Sequence, residues 1–486
     1  MAVRNDSIVD IQNILADEFR QKLGELAAGQ EEGENFTIFR VPDHIRQKNK
    51  QLYEPRMVSI GPYYHGKFQA MERYKLRYLK DYLSRINGKD IDHCISELRV
   101  LESQARRFYF EEVNLQSKEF LQMMLLDGCF IIEFLMKWNS GIPDEMFAVG
   151  WVLPTIRNDL LLLENQIPFF VIRKLFSLIS SDLTPSEENN PRKTLVAMLQ
   201  KYLSEGKKTE HPFIWVDIKH ILHLYHLCHV TPPSANELPT KSFHIKECLN
   251  PILKLSFRRK QISTDERAPK TILSATELQE AGRRIPNSTN ERAPRKIQSA
   301  TELQEAGITF KKKISENFLD IKFQNGILEI PFVPIEDTRR SRLLNLVYFE
   351  QCNANPYSQE QNANLRMDLT SYACFMGSLF KTTRDVTLLH KMGIIDNLLA
   401  TDEELVSFFN WLTEGSYLDY EAHYLKDLFI DVNRYYNSDW HKWRARLKRD
   451  YFANPWLTIS FIAACFLLVL AILQTVYTVL SFYQKK

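Results

Sequence analysis

The sequence has almost no excess charge of either sign. Lysine and arginine number 62 against 60 aspartate and glutamate residues, a formal net charge of +2 over 486 residues. Because a nucleic-acid-binding protein normally carries a clear basic excess, this balance argues against nucleic acid as a partner. Glycine and proline are also scarce, at 16 and 20 positions, whereas hydrophobic residues make up 44% of the chain. This composition indicates a folded chain rather than a disordered one.

Disulfide and secretion signals are missing too. The seven cysteines are widely spaced and include no Cys-x-x-Cys pair, which predicts a reducing compartment rather than a disulfide framework. The N-terminus has no apolar core of a secretory signal, because Arg4, Asp6 and Asp10 interrupt it. The front of the chain therefore predicts neither secretion nor membrane insertion.

Recognisable catalytic motifs are absent as well. The chain has no His-Glu-x-x-His and no Gly-x-Ser-x-Gly motif. Residues 61–67 fit Gly-x-x-x-x-Gly-Lys, but Phe68 replaces the hydroxyl that would hold Mg²⁺, and Pro62 lacks an N–H for the phosphate. We interpret the segment as a structural turn, with nucleotide binding as the less favoured alternative. The sequence predicts that the protein is not an enzyme, and it indicates no cofactor.

A histidine-rich segment is the one candidate metal site. His220, His223, His226 and His229 recur every third residue. On a helix of 3.6 residues per turn, each step of three turns the side chain back by about 60°, so the four cannot converge on one ion. We interpret them as core or surface residues and predict no metal. A site using His220, His223 and His226 with further ligands, or a proton sensor, remains an alternative.

The C-terminus carries the strongest local signal. The run from Trp456 to Phe482 has no charged residue and exceeds the roughly 20 residues that cross a bilayer core. It predicts a transmembrane helix, with aromatic residues towards both ends as in an interfacial belt. The residues that we assign to the anchor are Trp456, Phe461, Leu467, Leu470, Leu473, Tyr477 and Phe482.

Basic residues flank this run unequally. Only Lys485 and Lys486 follow it. The positive-inside rule therefore places the body in the cytosol, as a single-pass protein inserted by its tail. Sequons at Asn5, Asn35 and Asn287 support the opposite orientation. The cations that precede the run, and that we expect to attract anionic lipid, are Lys442, Arg444, Arg446, Lys448 and Arg449.

Apolar spacing in the body predicts a mainly α fold with one short β-hairpin, minor strands and one C-terminal transmembrane helix. Asn325-Gly326, between alternating stretches at 318–332, predicts the hairpin. Residues 36–42 and 56–60 look strand-like, and Leu160–Ile172 reads as two buried helical pieces joined at Pro168. We expect that piece to share a core with the apolar segment around Asp127. Helices are predicted at 68–85 with Leu76, Leu79 and Leu83 on one face, 120–138, 343–351, 369–380, 388–399, 402–412 and 431–452.

An internal duplication interrupts the body. Residues 264–282 recur at 289–307, and the copies differ only at Asp265/Asn290, Lys270/Arg295, Thr271/Lys296 and Leu273/Gln298. Each copy contains Ser-x-x-Glu and a final glycine, which predicts a short capped helix. We interpret the region as an exposed basic linker, and a loop that binds lipid headgroups or a partner is the alternative.

These patterns divide the chain into six segments. They are an amphipathic helix and acidic linker (1–35), a first helical part (36–257), the basic linker with the duplication (258–313), the hairpin and second helical part (314–454), the transmembrane helix (455–483) and a short tail (484–486).

Several strings taken together are similar to a known family. Among them are IFRVPDHIRQKN, EPRMVSIGPYYHGK, FLQMMLLDGCFIIEFL, DLLLLENQIPFFVI, SATELQEAG, LTSYACFMGSLF and DVTLLHKMGII. Over residues 38 to 482 the chain resembles the plant family of domains of unknown function number 247. The resemblance implies a mostly helical plant protein that ends in one membrane helix and has no established catalytic activity. Relatives carry one SATEL element, so the resemblance marks the first copy, Ser274 to Gly282, as an insertion.

We predict a membrane-anchored interaction or signalling component, whose partners are the lipid bilayer and an unidentified protein, with oligomers allowed. Some family members are associated with grass self-incompatibility, which gives a receptor-like recognition module as one alternative. Others have plasma-membrane or stress roles, which favours the plasma membrane. A membrane-tethered metal-dependent enzyme using the histidine-rich helix is the second alternative.

Overall fold

Helices form most of the computed structural model, which describes residues 14–21, 23, 36–86, 90–179, 190–204, 217–230, 294–353, 366–451 and 455–484. Residues 14–21 are helical, with Ile14, Leu15 and Phe19 exposed. The predicted fold class is confirmed. In the first half the helices are α1 (Asp43–Arg46), α2 (Gln69–Arg85), α3 (Ile91–Arg106), α4 (Ser117–Ser140), α5 (Val152–Asp159), α6 (Phe169–Ile179), α7 (Pro191–Leu203) and α8 (Ile221–His229).

The second half adds short strands to the helices. Its elements are α9 (Ala300–Glu305), β1 (Thr309–Lys313), β2 (Lys322–Gln324), β3 (Ile327–Pro331), β4 (Val333–Ile335), α10 (Asp337–Asn353), α11 (Asp368–Leu379), α12 (Thr383–Lys391), β5 (Ile395–Asn397), α13 (Asp402–Leu412), α14 (Lys426–Asn437), α15 (Asp439–Tyr451) and α16 (Pro455–Gln484). Both halves contribute to one cluster of buried apolar side chains that runs from Ile38 to Val432.

Helix α4 is the centre of the first half. It contacts α2, α3, α6 and α7, so it is apolar on almost every side. Its Glu119 side chain accepts the Gln116 N–H at 3.2 Å, and Gly141 ends the helix at φ 66°. The predicted buried helix at 120–138 is therefore confirmed.

Helix α2 confirms the helix predicted at 68–85 but not its apolar face. Leu79 is buried, whereas Leu76 is 53% exposed. The face that packs on α4 also carries a lysine and two tyrosines. A prediction based on leucine spacing alone misses them, because these side chains end in polar groups. The members of this face are Met71, Lys75, Tyr78, Leu79 and Tyr82.

The predicted hairpin is confirmed and belongs to a larger sheet. Strands β2 and β3 pair antiparallel around Asn325 (φ 52°) and Gly326 (φ 76°), the positive φ pair that a tight hairpin turn needs. Strand β1 pairs parallel with the other edge of β3, with Thr309 opposite Ile327. The sequence does not predict this strand, because Lys311, Lys312 and Lys313 give it a charged rather than an alternating pattern.

A single helix over 388–399 is wrong. Helix α12 stops at Lys391, Gly393 turns the chain at φ 68°, and β5 then pairs parallel with β4, with Val333 opposite Ile395. Past the glycine, Ile394 and Ile395 are buried where the chain enters β5 of this two-stranded sheet. The helix predicted over 431–452 is also two helices, since Ser438 is extended (ψ 115°) between α14 and α15.

Residues 56–60 do not form a strand, and residues 160–163 do not form a helix. The N–H groups of Arg56, Met57 and Val58 donate to the Asp159 carboxylate at 2.8–2.9 Å, so no neighbouring strand receives them. The leucine run after α5 is a chain of buried turns that leads to Pro168, which immediately precedes α6. In residues 36–42 the structure has one isolated bridge, between Ile38 and Tyr109.

The second copy of the duplication is packed into the body, which corrects its interpretation as an exposed linker. Ser299 and Glu302 form the predicted capping box of α9. Ala300 and Leu303 are fully buried, and the Thr301 N–H and hydroxyl both donate to Asp385 on α12 at 2.8 Å. The first copy, Ser274 to Gly282, lies outside the described residues.

One glycine fixes the loop that the sequence suggested as a phosphate loop. Gly61 has φ 80° and ψ −176°, a region that essentially only glycine occupies. A Cβ atom added there would lie 2.3 Å from the carbonyl oxygen of Gln166. The loop therefore touches the turn before α6 with no room for a side chain.

We expect Gly61→Ala to lower the free energy of unfolding by about 2–5 kcal/mol, from backbone strain plus the clash. Gly66→Ala is the matched control, because Gly66 also has positive φ (78°) but nothing within 4 Å of its added Cβ. That variant should lose only about 1–2 kcal/mol. Urea unfolding of the detergent-solubilised chain measures both. Equal losses of stability in the two variants would show that the close contact with Gln166 is not the reason why alanine destabilises position 61.

Candidate functional site

The three candidate metal ligands each have a separate partner. His220 precedes α8, where its Nδ1 accepts the His223 N–H at 3.2 Å and its Nε2 lies 3.2 Å from the Thr37 carbonyl. His223 Nδ1 accepts the Lys219 N–H at 3.1 Å. His226 Nε2 lies 2.9 Å from Glu350.

These histidines surround one aromatic ring. The rings of His220, His223 and His226 lie 5.2–5.4 Å from the ring of Phe349 on α10. Burial lowers the pKa of His220 to about 3 and lowers the pKa of His223 as well, so both are neutral. Among the residues that the structure describes, no three His, Cys, Asp or Glu side chains are grouped to hold a metal.

Glu350 joins three helices at this point. Besides His226 on α8, its carboxylate accepts the N–H groups of Leu369 and Thr370 at the start of α11, at 3.1 and 2.7 Å. The Thr370 hydroxyl donates to it at 2.7 Å. The first turn of a helix has unpaired N–H groups, and a carboxylate is a favourable acceptor for them. Glu350 thus fastens α8 and α11 to α10.

A second group of buried polar side chains holds the loop at 53–66. Asp127 on α4 forms an ion pair with Lys75 at 2.6 Å and accepts the Gly61 N–H at 2.8 Å. Lys75 also donates to the Ser59 carbonyl and to Glu72, each at 2.7 Å. The Gly61 amide, which a phosphate loop would offer to a nucleotide, is therefore already occupied. We call Asp127, Asp159, Glu164, Asn165 and Gln166 the buried polar cluster.

Glu164 and Asn165 extend this cluster to two other segments. Glu164 accepts the Val41 N–H at 2.8 Å and the Tyr64 hydroxyl at 2.6 Å, and pairs with Arg46. Asn165 accepts the Ile60 N–H at 2.7 Å and donates to the Val58 carbonyl at 3.0 Å.

Gln166 fastens the turn to itself and to α8. It donates to the Leu160 and Leu162 carbonyls at 2.7 and 2.8 Å, and it accepts the Leu222 N–H at 3.2 Å. As expected, the segments around Asp127 and Glu164 share one core.

The pKa shifts in the buried polar cluster are those of carboxyl groups that are buried and that bind backbone N–H groups. Burial raises the pKa of Asp159 to about 6, although three backbone N–H groups oppose the shift. Burial also raises the pKa of Asp127 against the opposing effect of Lys75. Both carboxyls are almost fully buried and have protein partners. The surface depression of about 330 Å³ lies elsewhere, lined by Asn139, Lys193, Thr194, Ala197, Met198 and Lys201.

Sequence reasoning predicted the apolar segment around Asp127 but not what that carboxylate binds. The available signal was local: three consecutive polar residues, Glu164 to Gln166, stand between two apolar runs that the structure buries. Buried polar groups need partners, so such a triplet indicates a polar cluster.

The C-terminal helix α16 is the other candidate site. Thr458–Leu480 spans 23 residues with a mean hydropathy of 2.5, and none of it is buried against the body. At 1.5 Å per residue this is about 34 Å, enough to cross a hydrocarbon core of about 30 Å. Phe461 is half-buried, and Phe482 has its side chain outside the described residues. The exposed anchor residues are Trp456, Leu467, Leu470, Leu473 and Tyr477.

The predicted basic flank lies on α15. Arg444 and Arg446 are exposed, and the Lys442 ammonium lies 4.7 Å from the centre of the Tyr436 ring. The side chains of Lys448 and Arg449 lie outside the described residues. The structure therefore describes the side chains of three of the five cations, all on the helix that directly precedes α16.

These features define a class of protein: a helical body clamped by buried carboxylates, followed by one helix long and apolar enough to cross a membrane. The chain belongs to the plant family of domains of unknown function number 247, described as "plant protein of unknown function", whose model matches residues 38–470.

Two proteins of Arabidopsis thaliana are similar along most of their length. UPF0481 protein At3g47200 is 28% identical over 93% of this chain and 88% of its own length. Putative UPF0481 protein At3g02645 is 25% identical over 92% of this chain and 91% of its own. No solved structure matches the chain significantly.

We expect Lys75→Met to lower the free energy of unfolding by about 3–5 kcal/mol at neutral pH, because it leaves Asp127 charged and unpaired in the core. Without Lys75 the folded-state pKa of Asp127 lies further above its unfolded value. The penalty is therefore full above the folded-state pKa and shrinks as the pH falls toward the unfolded pKa of about 4. Urea unfolding across pH measures this.

Two further variants test the explanation. Lys75→Met/Asp127→Asn should recover part of the loss, because asparagine keeps an oxygen for Gly61 and carries no charge. Arg77 lies on the same helix as Lys75, and Arg77→Met removes only an exposed ion pair with Glu145. This variant should change stability little. A pH-independent loss in Lys75→Met, unrelieved by Asp127→Asn, would contradict the ion-pair account.

Proposed function

We propose that this protein is a single-pass, tail-anchored membrane protein whose helical body faces the cytosol at the plasma membrane. There it acts as an interaction or signalling component rather than as an enzyme. The observation that carries the proposal is α16, an apolar helix of bilayer length with no residue buried against the body. The buried core helix α4, by contrast, is less hydrophobic than α16 and is covered by its neighbours.

The bilayer is the environment that suits α16. In water a continuous apolar surface of this size favours aggregation. In a bilayer each leucine, isoleucine, valine or phenylalanine near the centre contributes about −0.3 to −0.6 kcal/mol to insertion. The helix also satisfies its own backbone hydrogen bonds, as a membrane span must. Phe461, Leu467, Leu470 and Leu473 would lie in the hydrocarbon, with Trp456 and Tyr477 nearer the interfaces.

The non-catalytic part of the proposal is supported by how the buried acidic groups are used. Asp127, Asp159, Glu164 and Glu350 each hold backbone N–H groups that would otherwise lack an acceptor. A general acid or base needs access to a substrate proton, and these four side chains are no more than 2% exposed. The body then serves as a rigid surface for a protein partner, whose identity the family does not supply. Nucleic acid is not proposed, and oligomers are compatible with the anchor.

Anchoring is tested by charge in the middle of α16. Leu467→Arg/Leu470→Arg should move the protein from the carbonate-resistant membrane pellet to the soluble or aggregated fraction, because each arginine near the centre opposes insertion by about 2.5–3.5 kcal/mol. Leu467→Ala/Leu470→Ala is the matched control and should stay in the pellet. If the arginine variant remains carbonate-resistant, α16 is not the anchor.

Orientation is tested by protease protection of an N-terminal tag in intact plant microsomes. The cations of α15 outnumber Lys485 and Lys486 beyond the helix, so we expect the tag to be digested. We also expect no glycosidase shift from the sequons at Asn35 and Asn287. Protection together with a glycosidase shift would overturn the cytosolic orientation and favour the receptor-like recognition module.

A further inference from the structure

Helix α15, which precedes α16 in the chain, exposes two tryptophans. Trp440 and Trp443 are 71% and 72% exposed, and Leu447 is 41% exposed. At 3.6 residues per turn these three positions fall within an arc of about 60°, so they form one apolar stripe. Such a stripe on a short helix is unfavourable in water unless something covers it.

The other side of α15 is attached to the body. The His441 ring stacks on Tyr435 of α14, with the ring centres 3.8 Å apart. Lys442 lies over Tyr436 of the same helix. These positions are about 100° and 200° around the helix from Trp440, so the contacts direct the tryptophan stripe away from α14.

Exposed cations flank the stripe. Arg444 and Arg446 are both exposed. Neither forms a salt bridge with any side chain that the structure describes. Helix α15 ends at Tyr451 and α16 begins at Pro455, so the stripe and its cations lie on the helix that directly precedes the predicted membrane span. Tryptophan with flanking arginine is the composition of a helix that lies in a membrane interface.

We propose that α15 is an interfacial helix that binds the anionic headgroup layer of the leaflet that α16 enters. Trp440, Trp443 and Leu447 lie at the boundary between headgroups and acyl chains, and Arg444 and Arg446 contact anionic lipid headgroups. This inference rests on the proposed membrane anchoring. Because α15 also contacts α9 and α14, it sets how the body is oriented over the membrane.

The test uses the full chain reconstituted into vesicles of phosphatidylcholine alone or mixed with phosphatidylserine, with brominated acyl chains that quench nearby tryptophans. The chain has 7 tryptophans. We expect Trp440, Trp443 and Trp456 to be quenched in the mixed vesicles. Trp440→Ala/Trp443→Ala should then lose about two thirds of the quenching, because it removes two of the three interfacial rings. Trp151→Ala is the matched control, since Trp151 is 64% exposed on the body and should leave the quenching unchanged.

The headgroup contact is tested by charge. Arg444→Glu/Arg446→Glu should abolish the quenching of Trp440 and Trp443 in mixed vesicles while Trp456 stays quenched. Lys80→Glu/Lys118→Glu makes the same change of charge at two exposed positions far along the chain, and it should have no effect. Equal quenching in vesicles with and without phosphatidylserine would overturn the anionic-lipid contact.

Failure of this inference and failure of the anchor are distinguishable. If Trp456→Ala abolishes the quenching and Trp440→Ala/Trp443→Ala leaves it unchanged, the interfacial helix is overturned but the anchor is kept. No quenching of any tryptophan would overturn both. A third result is that Trp440 and Trp443 are not quenched and that the chain forms a dimer in detergent, which Trp440→Ala/Trp443→Ala dissociates. This result would assign the stripe to a second copy of the chain and also overturn the proposal.

Discussion

The fold of the body depends on side-chain acceptors for backbone N–H groups that no strand or helix pairs. The chain from Val41 to Gly61 is mostly irregular, yet much of it is buried, and a buried N–H without an acceptor destabilises the fold. Asp127 on α4, Asp159 at the end of α5 and Glu164 in the turn after it supply those acceptors. The clamp explains why acidic side chains lie in an otherwise apolar core: their charge is distributed over several donors and opposed by Lys75 and Arg46.

Features set by neighbouring residues could be read from the sequence. The helix around Asp127, the hairpin at Asn325-Gly326 and the cap at Ser299 each follow from spacing or turn chemistry within a few residues. The apolar run of α16 is equally local, because its length and lack of charge suffice to suggest an anchor. The long apolar C-terminal helix was thus predicted, while its role as an anchor and that of its flanking cations stay predictions.

Features set by distant residues could not be read in this way. Residues 56–60 look strand-like, but the N–H groups of Arg56, Met57 and Val58 donate to Asp159, more than a hundred positions further along the chain. The run 388–399 keeps helical spacing across Gly393, and only its neighbour β4 makes its second part a strand. The side chains of the histidine-rich segment are of a type that binds metals, yet Phe349 and Glu350 from α10 determine what their rings contact. In each case the deciding partner comes from another part of the fold.

The docking of α9 has a consequence for the duplicated sequence. Because the chain has two nearly identical segments, the second of which docks against Asp385, its sequence contains an ambiguity of register. The residue after the final glycine resolves it. Ile308 is buried and leads into β1, where the Thr309 N–H donates to Gly326. The first copy has Arg283 there, a charge that this apolar position would exclude. One side chain beyond the repeat, in addition to the four differences within it, therefore discriminates between the two alignments, and a duplication can persist without scrambling the fold.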